Sequence, residues 1–144
     1  MWNYGQELKK TNPGSTLHLK LLDGCFSSLY VSLDACKRGF LSGCRPVICL
    51  DGCHIKTKFG GQLLTAVGID PNDCIYPVAM AVIEVECLAS WKWFLENMNE
   101  DLGIENTTPW TIMTDKQKGL IPTMQQTFPD LEHRFCVRHN YSNF

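Results

Sequence analysis

Val47-Ile48-Cys49-Leu50-Asp51-Gly52 is the stretch whose reading decides the fold. Four consecutive apolar residues leave no alternation between a wet and a dry face, so the run predicts a strand covered on both sides, near the centre of a sheet. Asp51 stands where the run stops. A second run, Trp110-Thr111-Ile112-Met113-Thr114, ends in the same way at Asp115. An acidic residue at the carboxyl end of a buried strand lies on the sheet rim. Two such strands side by side would bring both carboxylates toward one divalent cation. Each aspartate also has a plainer reading, Asp51-Gly52 as a turn dipeptide and Asp115 as a residue beside a helix N-terminus.

Outward from Asp51, Phe59-Gly60-Gly61 turns the chain into an apolar run over 63–69, and Asp70-Pro71-Asn72-Asp73 turns it again into a run over 75–84. Three consecutive strands predict a meander. Pro77 lies inside the third run and has no N–H for a ladder, which predicts an edge strand there. Behind Ser90, read as an N-cap, Trp91, Phe94, Leu95, Met98 and Leu102 recur at helical spacing, with Gly103 where a C-terminal glycine belongs. The aromatics of that stripe read as core rather than as a base-stacking platform. A strand over 110–114, a helix over 118–127 with Pro122 in its first turn, and a strand over 131–137 complete the order β-β-β-α-β-α-β. A strand reached through a crossover helix can lie parallel to the first, which would set Asp51 beside Asp115.

Residues 1–46 read as a small α+β flanking segment: a polar opening, a hairpin through Asp23-Gly24, and a short helix over 32–41. The chain of 144 residues can bury about 68–70% of its unfolded surface. Its 44% hydrophobic and 19% charged residues describe one ordered domain. The opening lacks a signal-peptide layout and no run is long enough to span a bilayer, so an intracellular location is expected. Cys25, Cys36, Cys44, Cys49, Cys53, Cys74, Cys87 and Cys136 are too few for a disulfide scaffold and several lie in apolar runs, which predicts reduced, buried thiols. Net charge is −2 and the pI about 6.0, so any nucleic-acid contact must be local. Local candidates are Lys56, Lys58, Lys116, Lys118, His133, Arg134, Arg138 and His139, against the bland alternative of solvated charge.

Several motifs carry a resemblance: Gly43-Cys44-Arg45-Pro46, Leu50-Asp51-Gly52-Cys53-His54, Gly60-Gly61-Gln62-Leu63-Leu64, Ser90-Trp91-Lys92-Trp93-Phe94 and Thr114-Asp115-Lys116-Gln117-Lys118-Gly119-Leu120. Together they resemble the Mutator-like element (MULE) transposases of plants. The segment from His133 to His139 resembles that family's C-x-x-H motif, here Cys136 and His139. The resemblance implies an RNase H-like mixed sheet over 47–144, a partial transposase domain lacking its C-terminal part. It further implies Asp-Asp-Glu chemistry with two Mg²⁺ or Mn²⁺ ions that cuts DNA at element ends and joins the freed 3′ hydroxyl to target DNA. Asp51 and Asp115 match the two aspartates. The implied partners are the element's terminal repeats and target DNA, with multimers formed by the full-length protein, and the implied location is the nucleus.

The family's glutamate lies downstream of the C-x-x-H motif, beyond Phe144, and Glu84, Glu86 and Glu132 all precede that position. The expectation is therefore a transposase fragment with weak or absent cleavage, set against a domesticated relative that binds DNA or regulates transcription without catalysis. A further departure is Cys87, where relatives carry a polar residue such as Asn. Cys136 and His139, with Cys53 and His54 as a second pair, also raise a structural zinc site, against a buried cysteine beside a hydrogen-bonded histidine.

Overall fold

The structure, a computed structural model, describes residues 2–115, 119–137 and 141. In chain order it contains α1 (Trp2–Thr11), β1 (Thr16–Leu22), β2 (Cys25–Ser32), α2 (Asp34–Gly43), β3 (Val47–His54), β4 (Gln62–Ile69), β5 (Ile75–Ile83), α3 (Leu88–Leu102), β6 (Thr111–Thr114), α4 (Leu120–Thr127) and β7 (Glu132–Phe135). The strands form one 7-stranded sheet in the order β1-β2-β5-β4-β3-β6-β7. β3, β4 and β5 make the antiparallel meander read from the sequence. β6 returns through α3 to lie parallel to β3, and β7 returns through α4 to lie parallel to β6. The architecture is a mixed α/β sheet. The unbroken apolar run at Val47–Leu50 sits inside it, flanked by β4 on one side and β6 on the other.

The hairpin turns at Asp23 and Gly24, both with positive φ (49° and 78°), the twist that suits two-residue hairpin loops. β2 then pairs with β5, so the hairpin extends the same sheet. This corrects the edge assignment made from Pro77, because β5 is flanked on both sides. Its pairing with β2 is confined to Met80–Ile83, whereas Pro77 lies beyond that stretch, opposite Val67 and next to Val78, the extra residue by which β5 shifts register against Ala66 and Val67. The strand is internal where it needs both rows of hydrogen bonds and open where the proline cannot donate. The helix α1 was not foreseen in the polar opening. Its Gly5 is buried close against Leu17, and a glycine carries no apolar signal.

One face of the sheet buries Tyr30, Ile48, Leu50, Leu64, Ala66, Ala81, Ile83 and Ile112 against the helices. From α3 it takes all five stripe residues, Trp91, Phe94, Leu95, Met98 and Leu102, each at most 5% exposed. Trp91 and Phe94 meet edge to face at 5.9 Å, so the aromatics are core as read. Gly103 closes α3 in the left-handed conformation (φ 57°). The start of α3 needs correction: Cys87, not Ser90, is the N-cap. Ser90 is the third helical residue, its hydroxyl oxygen 2.9 Å from the Cys87 N–H and 2.8 Å from the Cys87 carbonyl. Cysteine is an uncommon cap, so the sequence signal falls on the serine instead. The expected burial of the cysteines is also corrected. Cys25, Cys53, Cys74 and Cys87 are exposed, the other four are half-buried, and all eight are free thiols. In β3 and β5–α3 they occupy strand faces and turns that the helical layer does not cover.

A buried polar network joins the hairpin to α2 and α3. The Lys37 ammonium donates to Asp101 Oδ1 at 2.9 Å, to the Gly14 carbonyl at 2.9 Å and to the Thr16 hydroxyl at 3.2 Å. Asp101 also accepts from the Thr16 and Tyr30 hydroxyls, the latter at 2.8 Å. Burial, followed by the neighbouring Asp101 charge, pushes the Tyr30 phenol pKa far above its usual value. Tyr30 therefore remains a donor to the carboxylate.

Candidate metal-binding rim

β3 and β6 pair in parallel with Val47 opposite Thr111, Ile48 opposite Ile112 and Cys49 opposite Met113. The pairs end there; continued two residues further, the register would set Asp51 opposite Asp115 on neighbouring strands, about 4.8 Å apart in the hydrogen-bonding direction. One detail differs from the expectation: β3 does not stop at Asp51 but continues against β4 to His54, with Asp51 opposite Thr65. The apolar run ends there because the helices end. Ile48 and Leu50 point into the core, whereas Asp51 is exposed and Asp115 half-buried.

The local bonds hold the backbone of both aspartates. Asp51 Oδ1 accepts from its neighbour's N–H at Gly52 (2.9 Å), and its carbonyl accepts from the Thr65 hydroxyl (3.3 Å). The Asp115 carbonyl accepts from the buried Thr114 hydroxyl at 2.7 Å, and that hydroxyl also contacts His133 Nε2 at 2.8 Å. Partial burial lowers the His133 pKa below its ordinary 6.5, which favours the neutral ring. β7 is thereby tied to the residue preceding Asp115.

Gly52 has a reason to be glycine. A Cβ there would stand 2.9 Å from Glu86 Oε1, the same oxygen that accepts the Trp91 indole N–H at 2.9 Å. The Glu86 carboxylate therefore rests on the residue next to Asp51, held from the first turn of α3. Sequence reasoning set Glu86 aside because of its place in the chain. Its signal was the pairing of a side-chain-free residue with a buried tryptophan needing an acceptor, which only the folded chain brings together. Cys87 follows directly. The Ser90 backbone N–H and hydroxyl around its sulfur lower the thiol pKa. A polar residue such as Asn suits this position because it is a helix cap.

Other sequence candidates disperse. Lys56 and Lys58 are exposed in the turn between β3 and β4. Arg134 is exposed on β7 and ion-paired with Glu132. Lys116, Lys118, Arg138 and His139 lie outside the described residues. Cys136 N–H donates to the Thr114 carbonyl at 2.8 Å, which holds Cys136 at the same rim. Burial raises the Cys49 thiol pKa, with a smaller contribution from Cys136 nearby. Cys53 and His54 are consecutive strand residues and so project to opposite faces, and His54 Nδ1 lies 3.2 Å from the Gln62 amide. Among the described residues no three of His, Cys, Asp and Glu converge closely enough to hold a metal ion. No helix among them is long and apolar enough to cross a membrane.

Comparison with known proteins agrees with the motifs. Residues 47–143, more than half of the chain, match the MULE transposase domain. The chain is 26% identical over 140 residues to Protein FAR1-RELATED SEQUENCE 6 of Arabidopsis thaliana, covering 96% of this chain and 19% of that protein. It thus spans about a fifth of that relative's length. On the match through β3, β6 and β7 together, the chain is transposase-derived and belongs to the MULE transposase domain family.

Proposed function

We propose that this chain is the front part of a DDE-type DNA transposase domain with an RNase H-like strand order, in which Asp51 and Asp115 are two of the acidic ligands of a Mg²⁺ or Mn²⁺ site. The parallel β3–β6 register supports this reading, because its continuation past Cys49 and Met113 would bring the two aspartates to one rim. The donor set fits a hard cation: carboxylate oxygens on rigid strands, with Asp51 reachable from solvent. Ions bound there would activate a water or hydroxyl and offset charge developing on the phosphate. The protein's own contribution is placement. The β4 pairing and the Thr65 hydroxyl hold the backbone of Asp51, while Thr114 and His133 hold the backbone of Asp115. The substrate is DNA, namely element ends and target, and the setting is the nucleus.

A second reading is a transposase-derived protein that binds DNA without cutting it. It is favoured by the absence, among the described residues, of any cluster of three His, Cys, Asp or Glu side chains placed to hold a metal ion. Mn²⁺-dependent nicking of plasmid DNA by a protein extended downstream of Phe144 separates the two. Nicking that Asp51→Ala and Asp115→Ala each abolish supports the transposase. Robust DNA binding with no nicking supports the second reading, and nicking that survives both substitutions overturns the role given to the two aspartates.

A further inference from the structure

The proposed site accounts for Asp51 and Asp115, and leaves Phe59 unexplained. Phe59 is 93% exposed, the most exposed of the large apolar side chains among the described residues. A single exposed aromatic is ordinary, but this one is built into its place. The Ile55 N–H reaches the Gly61 carbonyl at 3.0 Å and the Gly60 N–H reaches the Thr57 carbonyl at 3.1 Å, which closes a β-turn with Lys58 and Phe59 at its two corners. Gly60 and Gly61 follow at φ 67° and 93°, which non-glycine residues rarely adopt. A Cβ on Gly61 would stand 2.9 Å from the Ile83 carbonyl, so the base of the turn is seated on β5. The tip presents one aromatic ring directly after exposed Lys58 and in the same loop as exposed Lys56.

Its position matters as much as its chemistry. The turn continues β3 directly beyond Asp51, on the same rim, and eight residues of chain reach at most roughly 28 Å. That span corresponds to about eight nucleotides of a stacked strand at ~3.4 Å each. A chain of net charge −2 has no general pull on duplex DNA. A ring in the same loop as Lys56 and Lys58 instead matches the pairing of base stacking and backbone charge by which proteins hold unpaired nucleotides.

Resting on the DNA-transposase reading, we propose that Phe59 stacks on an unpaired base of the DNA strand led to Asp51 and Asp115, with Lys56 and Lys58 holding the flanking phosphates. The test uses the full chain without divalent metal, and fluorescence anisotropy with a short single-stranded oligonucleotide and with the same sequence as blunt duplex. Phe59→Ala weakens single-strand binding about tenfold and leaves duplex binding unchanged, whereas Phe59→Trp retains both. Lys56→Gln and Lys58→Gln each reduce the single-strand salt slope by about 0.7. Phe59 has few internal contacts, so equal melting temperatures of wild type and Phe59→Ala verify that folding is unaffected. If wild type binds DNA but Phe59→Ala matches it on both forms, or weakens both equally, the stacking assignment is overturned while the DNA reading stands. If Phe59→Ala abolishes self-association instead, the ring serves a protein contact and the assignment is likewise overturned. If wild type binds neither DNA, both readings fall.

Discussion

Replacing Lys37 by Met keeps the aliphatic stem in place and removes the one positive charge facing Asp101. The two side chains are 10% and 9% exposed, and the ammonium spends its three donors on Asp101, Gly14 and Thr16. Without it, Asp101 retains two hydroxyl donors but no counter-charge in a site nearly closed to water. Breaking a buried pair by removing one partner costs about 3–5 kcal/mol. Set against a total stability of about 5–15 kcal/mol, that is a large fraction. In urea, with a slope of about 1–3 kcal/mol per molar, it shifts the midpoint by roughly 2 M. Arg38→Met is the control, since the Arg38–Asp34 pair has side chains 77% and 27% exposed and removing it costs less than about 1 kcal/mol. Lys37→Met combined with Asp101→Leu recovers most of the loss, because no buried charge remains. A loss for Lys37→Met no greater than the Arg38 control refutes the reasoning: the network would then be solvated and would not tie residues 14–37 to α3.

Gly52→Ala drives a methyl against Glu86 Oε1 and dislodges it from the Trp91 indole, costing about 1–3 kcal/mol with a shift in tryptophan emission; an unchanged spectrum and midpoint would show that Glu86 does not rest there. His133 has a folded pKa below 6.5, so the unfolded chain binds more protons between the two values. Its contribution is present above about pH 6.5 and lost as pH falls through the folded value; comparing urea midpoints at about pH 7.5 and 5.5, His133→Gln flattens that decline, and an equal decline refutes the assignment. Cys87→Asn gains about 0.5–1 kcal/mol by supplying a stronger cap, and in the wild type Cys87 alkylates faster than exposed Cys25 and Cys74; neither effect is expected if α3 begins at Ser90. Asp51→Asn preserves the acceptor for the Gly52 N–H yet relieves repulsion across the β3–β6 rim. Without metal it therefore melts as high as wild type or slightly higher, by about 0.2–1 kcal/mol; on the proposed site Mn²⁺ raises the melting temperature of wild type but not of the variant, and an equal response in both refutes the site.

The strand order was legible because it rests on patterns with few physical alternatives. The unbroken run at Val47–Leu50 has to be covered on both faces, and a helix such as Leu88–Leu102 between two strands favours a parallel return. Those two facts predict the parallel pairing of β3 with β6 before any coordinate is known. What the sequence concealed depended on pairing partners far along the chain. Pro77 signals an edge, and whether the whole strand is an edge depends on where β2 stops, at Met80. Ser90 is the stronger cap by type, but only the hydrogen bonds to Cys87 reveal which residue begins the helix. Gly5 hides α1, since a residue without a side chain can be buried in a helix and leave no period. Glu86 was invisible as a neighbour of the site because its contact with Gly52 joins a strand to the turn preceding α3.

The alignment of Asp51 with Asp115 is also where local stability and function pull apart. Two like charges at matching positions of adjacent strands repel, and a single asparagine at either place would relieve that cost while keeping a hydrogen-bond acceptor. The surrounding structure removes the ordinary escape routes. Asp51 is fixed in register by β4 through its main chain and cannot slip by one residue without turning Leu50 and Ile48 out of the core. Asp115 follows a strand whose Ile112 and Thr114 are buried and whose Thr114 hydroxyl is engaged with His133. On the proposed reading, a sequence whose other levels agree would carry its one conflict at the two aspartates, where a cation would resolve it.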